Sequence, residues 1–313
     1  MKKYKALALA AACLCGSAAA QTGVTLYGKV DLGVGKVIGK DVTEVKESQA
    51  GNSRFGLRGV EDLGGGLSAF FGLEHRFRAD SGEQVSTIYW HGFATVGLSS
   101  RSLGSITLGR QYIPSFWLVQ NQVDPFNGLT VANLRDGSML LNNTAKVRVS
   151  DSVRYDYSAA GFNFAASIAD TTQPGASAGP ERPRSIAANY ASGPLFIGIG
   201  YEDPAQAEDH IWSAGARYKI SSLTLSAGLS KGRTPAGVDA KGWMVAATHP
   251  LGNGLLKGGY ARGELGSATT MSKIGVGYDY NLSKRTKLYT NLARDGKVAA
   301  HRWGFDVGVE HNF

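Results

Sequence analysis

Apolar and polar residues alternate with period two along most of this chain. Val24, Leu26, Val30, Leu32 and Val34 fall on one face of an extended segment, and Thr25, Tyr27, Lys29 and Asp31 on the other. The pattern returns at Leu223-Leu225-Ala227-Leu229, Ile274-Val276-Tyr278-Tyr280, Leu288-Thr290-Leu292 and Trp303-Phe305-Val307-Val309. One such segment says little, since any half-buried strand alternates; many in series, each about ten residues long, are the signature of a transmembrane barrel. The chain is therefore expected to be all-β. Sixteen strands are predicted near 23–36, 52–60, 66–78, 88–99, 104–111, 147–157, 161–169, 184–191, 195–202, 210–220, 223–231, 241–249, 254–263, 271–281, 286–294 and 302–313. Their connections alternate between short ones, such as Ser192-Gly193-Pro194 and Ser221-Ser222, and long ones, such as 37–51 and 170–183. Short periplasmic turns and long external loops give a barrel that alternation.

The third long connection is different in kind. From Tyr112 to about Lys146 the alternation stops, and Pro114, Asp124-Pro125 and Asp136-Gly137 appear. Loops beyond about 15 residues are usually functional or disordered. This one carries Phe116, Trp117, Val123, Phe126, Leu129 and Leu134, too much apolar surface for a solvated loop. It is expected to fold inside the barrel and narrow the lumen.

No later segment can cross a bilayer as a helix. The longest stretches without formal charge, Gln84–Ser100 and Ser185–Tyr201, are broken by Ser86, Thr87, His91 and Thr95 and by Asn189, Ser192, Gly193 and Pro194. A spanning helix needs about 20 apolar residues in a row, so a membrane location requires a closed barrel. Residues 1–20 read as a signal peptide: Lys2, Lys3 and Lys5, then an apolar core from Ala6 to Leu14, then Ala18-Ala19-Ala20, which starts the mature chain at Gln21. The alternative, a lipoprotein modified at Cys13 or Cys15, lacks the usual Leu three positions upstream. Both cysteines leave with the signal, so the mature barrel, 21–313, has no covalent staple. Three lysines and no acid leave too, taking the formal net charge from +8 to +5. That moderate charge, without a dense basic patch, does not point to nucleic acid.

Several stretches resemble the general porins of Gram-negative bacteria, the beta-proteobacterial group in particular. Val24-Thr25-Leu26-Tyr27-Gly28 is similar to that family's first strand, and Ser53-Arg54-Phe55-Gly56-Leu57-Arg58-Gly59-Val60-Glu61-Asp62-Leu63-Gly64-Gly65-Gly66-Leu67 to its second strand and first turn. Leu108-Gly109-Arg110-Gln111 resembles the strand end before the constriction loop, Ser152-Val153-Arg154-Tyr155-Asp156 the strand after it, and Tyr278–Thr286 a turn near the end. The resemblance spans the mature chain in order. It implies a trimer of sixteen-stranded antiparallel barrels, each with its third external loop folded inward. The chain departs from the pattern at Gly92-Phe93-Ala94-Thr95-Val96-Gly97-Leu98, where many relatives place a constriction arginine at the first position. At the C-terminus, Phe313, Val309, Val307 and Phe305 share a face and resemble the signal read by the outer-membrane assembly machinery; an aromatic girdle would also use them.

Candidate chemistry is that of a pore. Six mature histidines (His75, His91, His210, His249, His301, His311) show no ligand spacing, so no metal is expected. There is no Gly-x-Ser-x-Gly elbow, and pairs such as Gly33-Val34-Gly35 sit within strands; no enzyme activity and no cofactor are implied. Phe55 and Leu57 share a face, so Arg54 and Arg58 should point into the lumen, and by the same parity argument from Val149 and Val153 so should Arg148 and Arg154. Fixed positive charge in a narrow pore favours anions. The alternative is that each basic residue simply solvates a wet interior. Arg110 shares parity with Ile106 and Leu108 and is expected at a rim or subunit interface. Asp124 and Asp136 on the long loop, with Glu74 beside Arg76, could supply opposing charge. The expectation is a mildly anion-selective diffusion channel for small ions and solutes in the outer membrane, with lipids and lipopolysaccharide around it. The rivals are a substrate-specific channel, which would need an aromatic track along the lumen, and a surface adhesin or phage receptor built on the external loops.

Overall fold

The computed structural model describes residues 23–47, 49–126, 129–172 and 181–313. The expected signal peptide, 1–20, lies outside the described residues. The first strands are β1 (Gly23–Lys36), β2 (Thr43–Glu47), β3 (Ser53–Gly64), β4 (Leu67–Phe77), β5 (Phe93–Ser100) and β6 (Gly104–Tyr112). After the long loop come β7 (Arg148–Ala159), β8 (Phe162–Ala169), β9 (Arg184–Ser192), β10 (Leu195–Asp203), β11 (His210–Ile220) and β12 (Leu223–Arg233). The set ends with β13 (Asp239–Leu251), β14 (Gly254–Leu265), β15 (Ala268–Asn281), β16 (Thr286–Asp295) and β17 (Trp303–Asn312). Each stave pairs antiparallel with its neighbours, and β1 pairs with β17, so the sheet closes. Sixteen of the seventeen strands are staves; β2 is a short strand paired with Leu32–Lys36 of β1, in a stretch expected to be loop. Asp31 explains it: its buried carboxylate accepts the Ala50 N–H at 2.7 Å and the Tyr289 hydroxyl at 2.7 Å, pinning that loop to the wall. Residues 88–92, expected in a strand, precede β5 instead.

The alternation sorts the side chains as the sequence implies. Val96 and Leu98, Ile106 and Leu108, Trp243 and Val245, and Val307 and Val309 are all exposed on the outer face. Their immediate neighbours Met244, Asp306 and Glu310 are buried on the inner one. An apolar exterior with a polar interior is the reverse of a soluble protein, and it suits a closed sheet in hydrocarbon.

The parity breaks at one place. Between β6 and β7 the register shifts at Gly109/Gln111, where Gly109 has φ +111° and Asp151 has φ +49°. This bulge turns Val149 inward, where it is buried beside Ile113 and Leu140, while Val153 stays exposed outside. The two valines therefore do not share a face, which corrects the parity argument for Arg148.

The seam ends on the last residue. Phe313 and Gly28 exchange both backbone hydrogen bonds at 3.0 Å, and a Cβ on Gly28 would lie 2.2 Å from the Phe313 ring. Beyond the pair, β1 continues with β3 as its partner. Each of these hydrogen bonds contributes about 1 kcal/mol net. Deleting Phe313, or changing Gly28 to Val, is expected to lower the denaturation midpoint of the detergent-solubilised barrel and the fraction migrating as a folded, heat-modifiable band. An unchanged midpoint in both variants would show that the seam does not depend on this pair.

Candidate functional site

The long loop packs against the inner faces of the strands. The loop contains α1 (Pro114–Leu118), a 3-10 turn (Gln120–Gln122) and α2 (Arg135–Ser138). Most of its apolar residues are buried against the inner faces of the strands, while Trp117 and Leu129 stay exposed at the cavity. Val123, Phe126, Leu134 and Met139 pack with Met244, Ala246, Ala261 and Met271, while Phe116 and Leu141 pack with Ile211 and Ala240. Small strand residues make room: a Cβ on Gly242 would lie 2.2 Å from the Ser138 carbonyl oxygen.

Polar contacts fix the loop's path. Asn189 donates to the Leu118 carbonyl at 2.9 Å, and Gln120 to the Ser213 hydroxyl at 2.8 Å. Asp306 accepts the Val131 N–H at 2.7 Å and the Asn291 amide at 2.6 Å. Buried Glu202 of β10 holds both ends of the loop, accepting the Ser115 hydroxyl at 3.2 Å and the Lys146 N–H at 2.5 Å. None of these anchors was expected from sequence. Asp124 serves the same purpose within the loop. It is buried and accepts N–H groups of Phe126, Leu134 and Arg135, all at 3.0 Å, and burial raises its pKa above the usual carboxylate range. It does not face the lumen, which corrects its expected role as an opposing charge.

What remains open beside the loop is a cavity of about 710 Å³. Seven basic side chains border it (Lys29, Arg54, Arg58, Arg76, Arg135, Arg148 and Lys287) against three carboxylates, Glu74, Asp136 and Glu310. The carboxylates are engaged: Glu74 with Arg76 at 2.8 Å and Arg54 at 3.7 Å, Glu310 with Lys29 at 3.1 Å and Lys287 at 3.5 Å, Asp136 with Arg135 at 3.2 Å. The Glu310 pairs extend through Lys287–Asp279 (3.3 Å) to Lys257–Asp279 (2.7 Å), a chain of alternating charge across five staves from β1 to β14. Among the described residues, Arg58 and Arg148 have no carboxylate partner. Each lies over a tyrosine, Arg58 at 5.3 Å from the Tyr27 ring and Arg148 at 4.0 Å from the Tyr112 ring. Phe116 and Trp117 stack in turn with Tyr112, at 5.4 and 5.1 Å.

Of the residues picked out by sequence, the structure brings Arg54, Arg58, Arg148 and Asp136 to this cavity. Arg154 is not among its lining residues. It is buried below, paired with Asp156 and donating to the Tyr112 carbonyl at 2.8 Å, so it braces the loop's origin. Arg110 is half-buried, bonded to the His91 carbonyl (3.1 Å) and the Ser150 hydroxyl (3.0 Å), and also stays outside the cavity. His91 does not replace the missing arginine as a charge. Burial, with Arg148, Arg110 and Arg76 nearby, pushes its pKa down from 6.5 to about 4.

A closed sixteen-stave barrel with an apolar exterior, and a lumen lined by charge, defines a membrane channel. A family profile described as Gram-negative porin matches residues 6–299. The chain belongs to that family. It is 32% identical to outer membrane porin protein 32 of Delftia acidovorans over 93% of this chain and 89% of that one. An outer membrane porin protein of Bordetella pertussis is 30% identical, with both chains covered in full. The solved structure of an anion-selective porin from Comamonas acidovorans superposes with a TM-score of 0.79 at 28% identity, covering 94% of this chain and 100% of that chain. The protein is thus an outer-membrane porin, a β-barrel channel for passive diffusion of small hydrophilic solutes.

Two outcomes follow for the site. The unfolded chain protonates His91 near 6.5 and the folded one near 4, so the stabilising neutral form is fully present above 6.5 and its contribution is lost as pH falls through that window. Melting temperature should drop between those limits, and His91→Gln should flatten the drop; identical profiles would remove His91 as the cause. Glu202→Ala leaves two loop donors unpaired, a cost of about 1–3 kcal/mol for each buried group. Single-channel traces of that variant should show larger current fluctuations, and its melting temperature should fall by several degrees.

Proposed function

We propose that the porin is mildly anion-selective and that the loop 112–146 forms its constriction. The observation that carries this reading is the pair Arg58 and Arg148: two cavity-lining guanidinium groups with no ion-pair partner among the described residues, while the cavity's three carboxylates are each held in ion pairs. Stacking on Tyr27 and Tyr112 adds roughly 0.5–2 kcal/mol each and fixes the charge in place. An anion entering the cavity meets a net attraction that a cation does not. The Comamonas acidovorans porin of similar structure is anion-selective, in line with this reading.

The same reading covers the rest of the molecule's life. Residues 1–20 direct export and are removed. The C-terminal face of Phe313, Val309, Val307 and Phe305 presents the assembly signal. Homotrimers form in the outer membrane; OmpT of Vibrio cholerae, a barrel of the same fold, has a trimer form. The chain acts without a cofactor or a chemical step.

Zero-current potentials across a KCl gradient test the selectivity. Unit charges about 4 Å apart interact by about 1 kcal/mol even in bulk water, so Arg58→Ser with Arg148→Ser should cut the chloride-to-potassium permeability ratio by roughly threefold to tenfold. The wild-type preference should shrink as salt rises, because the Debye length falls from about 10 Å at 0.1 M to about 3 Å at 1 M. A cation-selective wild type, or a double variant with unchanged potential, would reject the assignment.

A further inference from the structure

The loop 112–146 packs most of its apolar side chains against the wall, and two stay outside that packing. Trp117 is 43% exposed and Leu129 44%, and both line the cavity. Phe116, Val119, Val123, Phe126 and Leu134 of the same loop are buried. Apolar surface left in water contributes nothing to the fold, so the indole face is open to another partner. Its position is also fixed. The Trp117 N–H donates to the Ile113 carbonyl at 3.1 Å, and the Gln122 amide donates to the Trp117 carbonyl at 2.8 Å.

Beside the indole lies a cation with spare donors. Trp117 stacks on Tyr112 at 5.1 Å, and Arg148 lies 4.0 Å from the same ring, so indole and guanidinium share one neighbour. Arg148 donates through Nη2 to the Tyr112 hydroxyl, and its Nε is a buried donor with no partner among the described residues. Arg135, the cation over Phe116 at 5.0 Å, is different, because Asp136 and Asn121 already engage it. An open π face next to an unpaired guanidinium asks two things of a ligand. One is a flat apolar ring, and the other is a negative charge attached close to it.

We propose that the cavity holds a saturable binding site for aromatic carboxylates. The carboxylate pairs with the Arg148 guanidinium, and the ring stacks on Trp117. Paired N–H donors suit a carboxylate, and offset stacking on the indole adds an attraction that a saturated ring of similar size lacks. An inorganic anion meets the charge alone, and an uncharged arene meets the ring alone. The site is one aromatic station and not a continuous track, so small anions still pass. Binding is weak, since a ligand that permeates must leave as readily as it enters. This inference deepens the reading of Arg148 as a free charge in the cavity and rests on it.

Block of the chloride current through the porin in planar bilayers tests it, with benzoate and cyclohexanecarboxylate as probes. The two acids match in charge and nearly in size, and only benzoate has a π face. Benzoate should half-block the wild type at a concentration roughly threefold to tenfold lower, the range expected of one aromatic pair. Trp117→Leu should bring the two half-blocking concentrations together, and Trp117→Phe should keep them apart. Arg148→Gln should weaken both acids alike, and benzamide, which has the ring without the charge, should not block at benzoate's half-blocking concentration. Equal block of the wild type by the two acids overturns the proposal, and that comparison decides it even if Trp117→Leu folds poorly. A Trp117→Leu channel that still prefers benzoate overturns it too. Zero-current potentials measured on the same membranes keep the two readings apart. Anion selectivity without a benzoate preference rejects the aromatic site alone. A benzoate preference in a cation-selective wild type rejects the selectivity and supports the site.

Discussion

In hydrocarbon a backbone amide has no water to fall back on, and every other feature of this porin is built on meeting that constraint. A strand directs half of its backbone groups to each side and satisfies none of them itself, so sixteen staves are stable only when the last finds the first. Here closure reaches the final residue, whose amide and carbonyl both pair with Gly28. Residues 21–313 hold no cysteine, so no disulfide holds that seam.

Closure then creates a second problem, because a barrel this wide is not filled by its own side chains. The long loop solves it with apolar residues that pack on the inner wall and with polar anchors that set where they pack. The anchors divide the labour. Glu202 holds the ends, Asp306 holds the middle, and Asp124 keeps the loop's own backbone satisfied. A buried carboxylate without a direct ion pair is tolerated where it accepts two or three N–H or O–H groups, since those replace the lost water.

The staves were legible in the sequence because period two repeats many times and the connections alternate in length. Arg54 and Arg58 were legible for the same reason: β3 keeps one parity throughout the stretch that carries them. Parity failed in β7, where a left-handed residue, Asp151, resets the count, and nothing in Ser150-Asp151-Ser152 announces a bulge. Arg148 reached the cavity, but not by the expected route. Asp124 misled in another way. An acid on a loop looks like available charge, and its true partners are main-chain groups two, ten and eleven residues on, which no spacing rule encodes. Glu202 and Asp306 were invisible because each is one polar residue among many on an inward face, distinguished only by what the loop brings to it.

The tyrosines beneath Arg58 and Arg148 have a consequence for transport speed as well as for sign. A guanidinium on a free stem must be caught, turned and released by every passing ion, and that motion is drag. One held over an aromatic ring, as Arg58 and Arg148 are, has already given up some of its alternatives. The solute meets a stationary field and leaves it without dragging a side chain along. Under the proposed selectivity, charges held in this way would sort ions while exerting little friction on them.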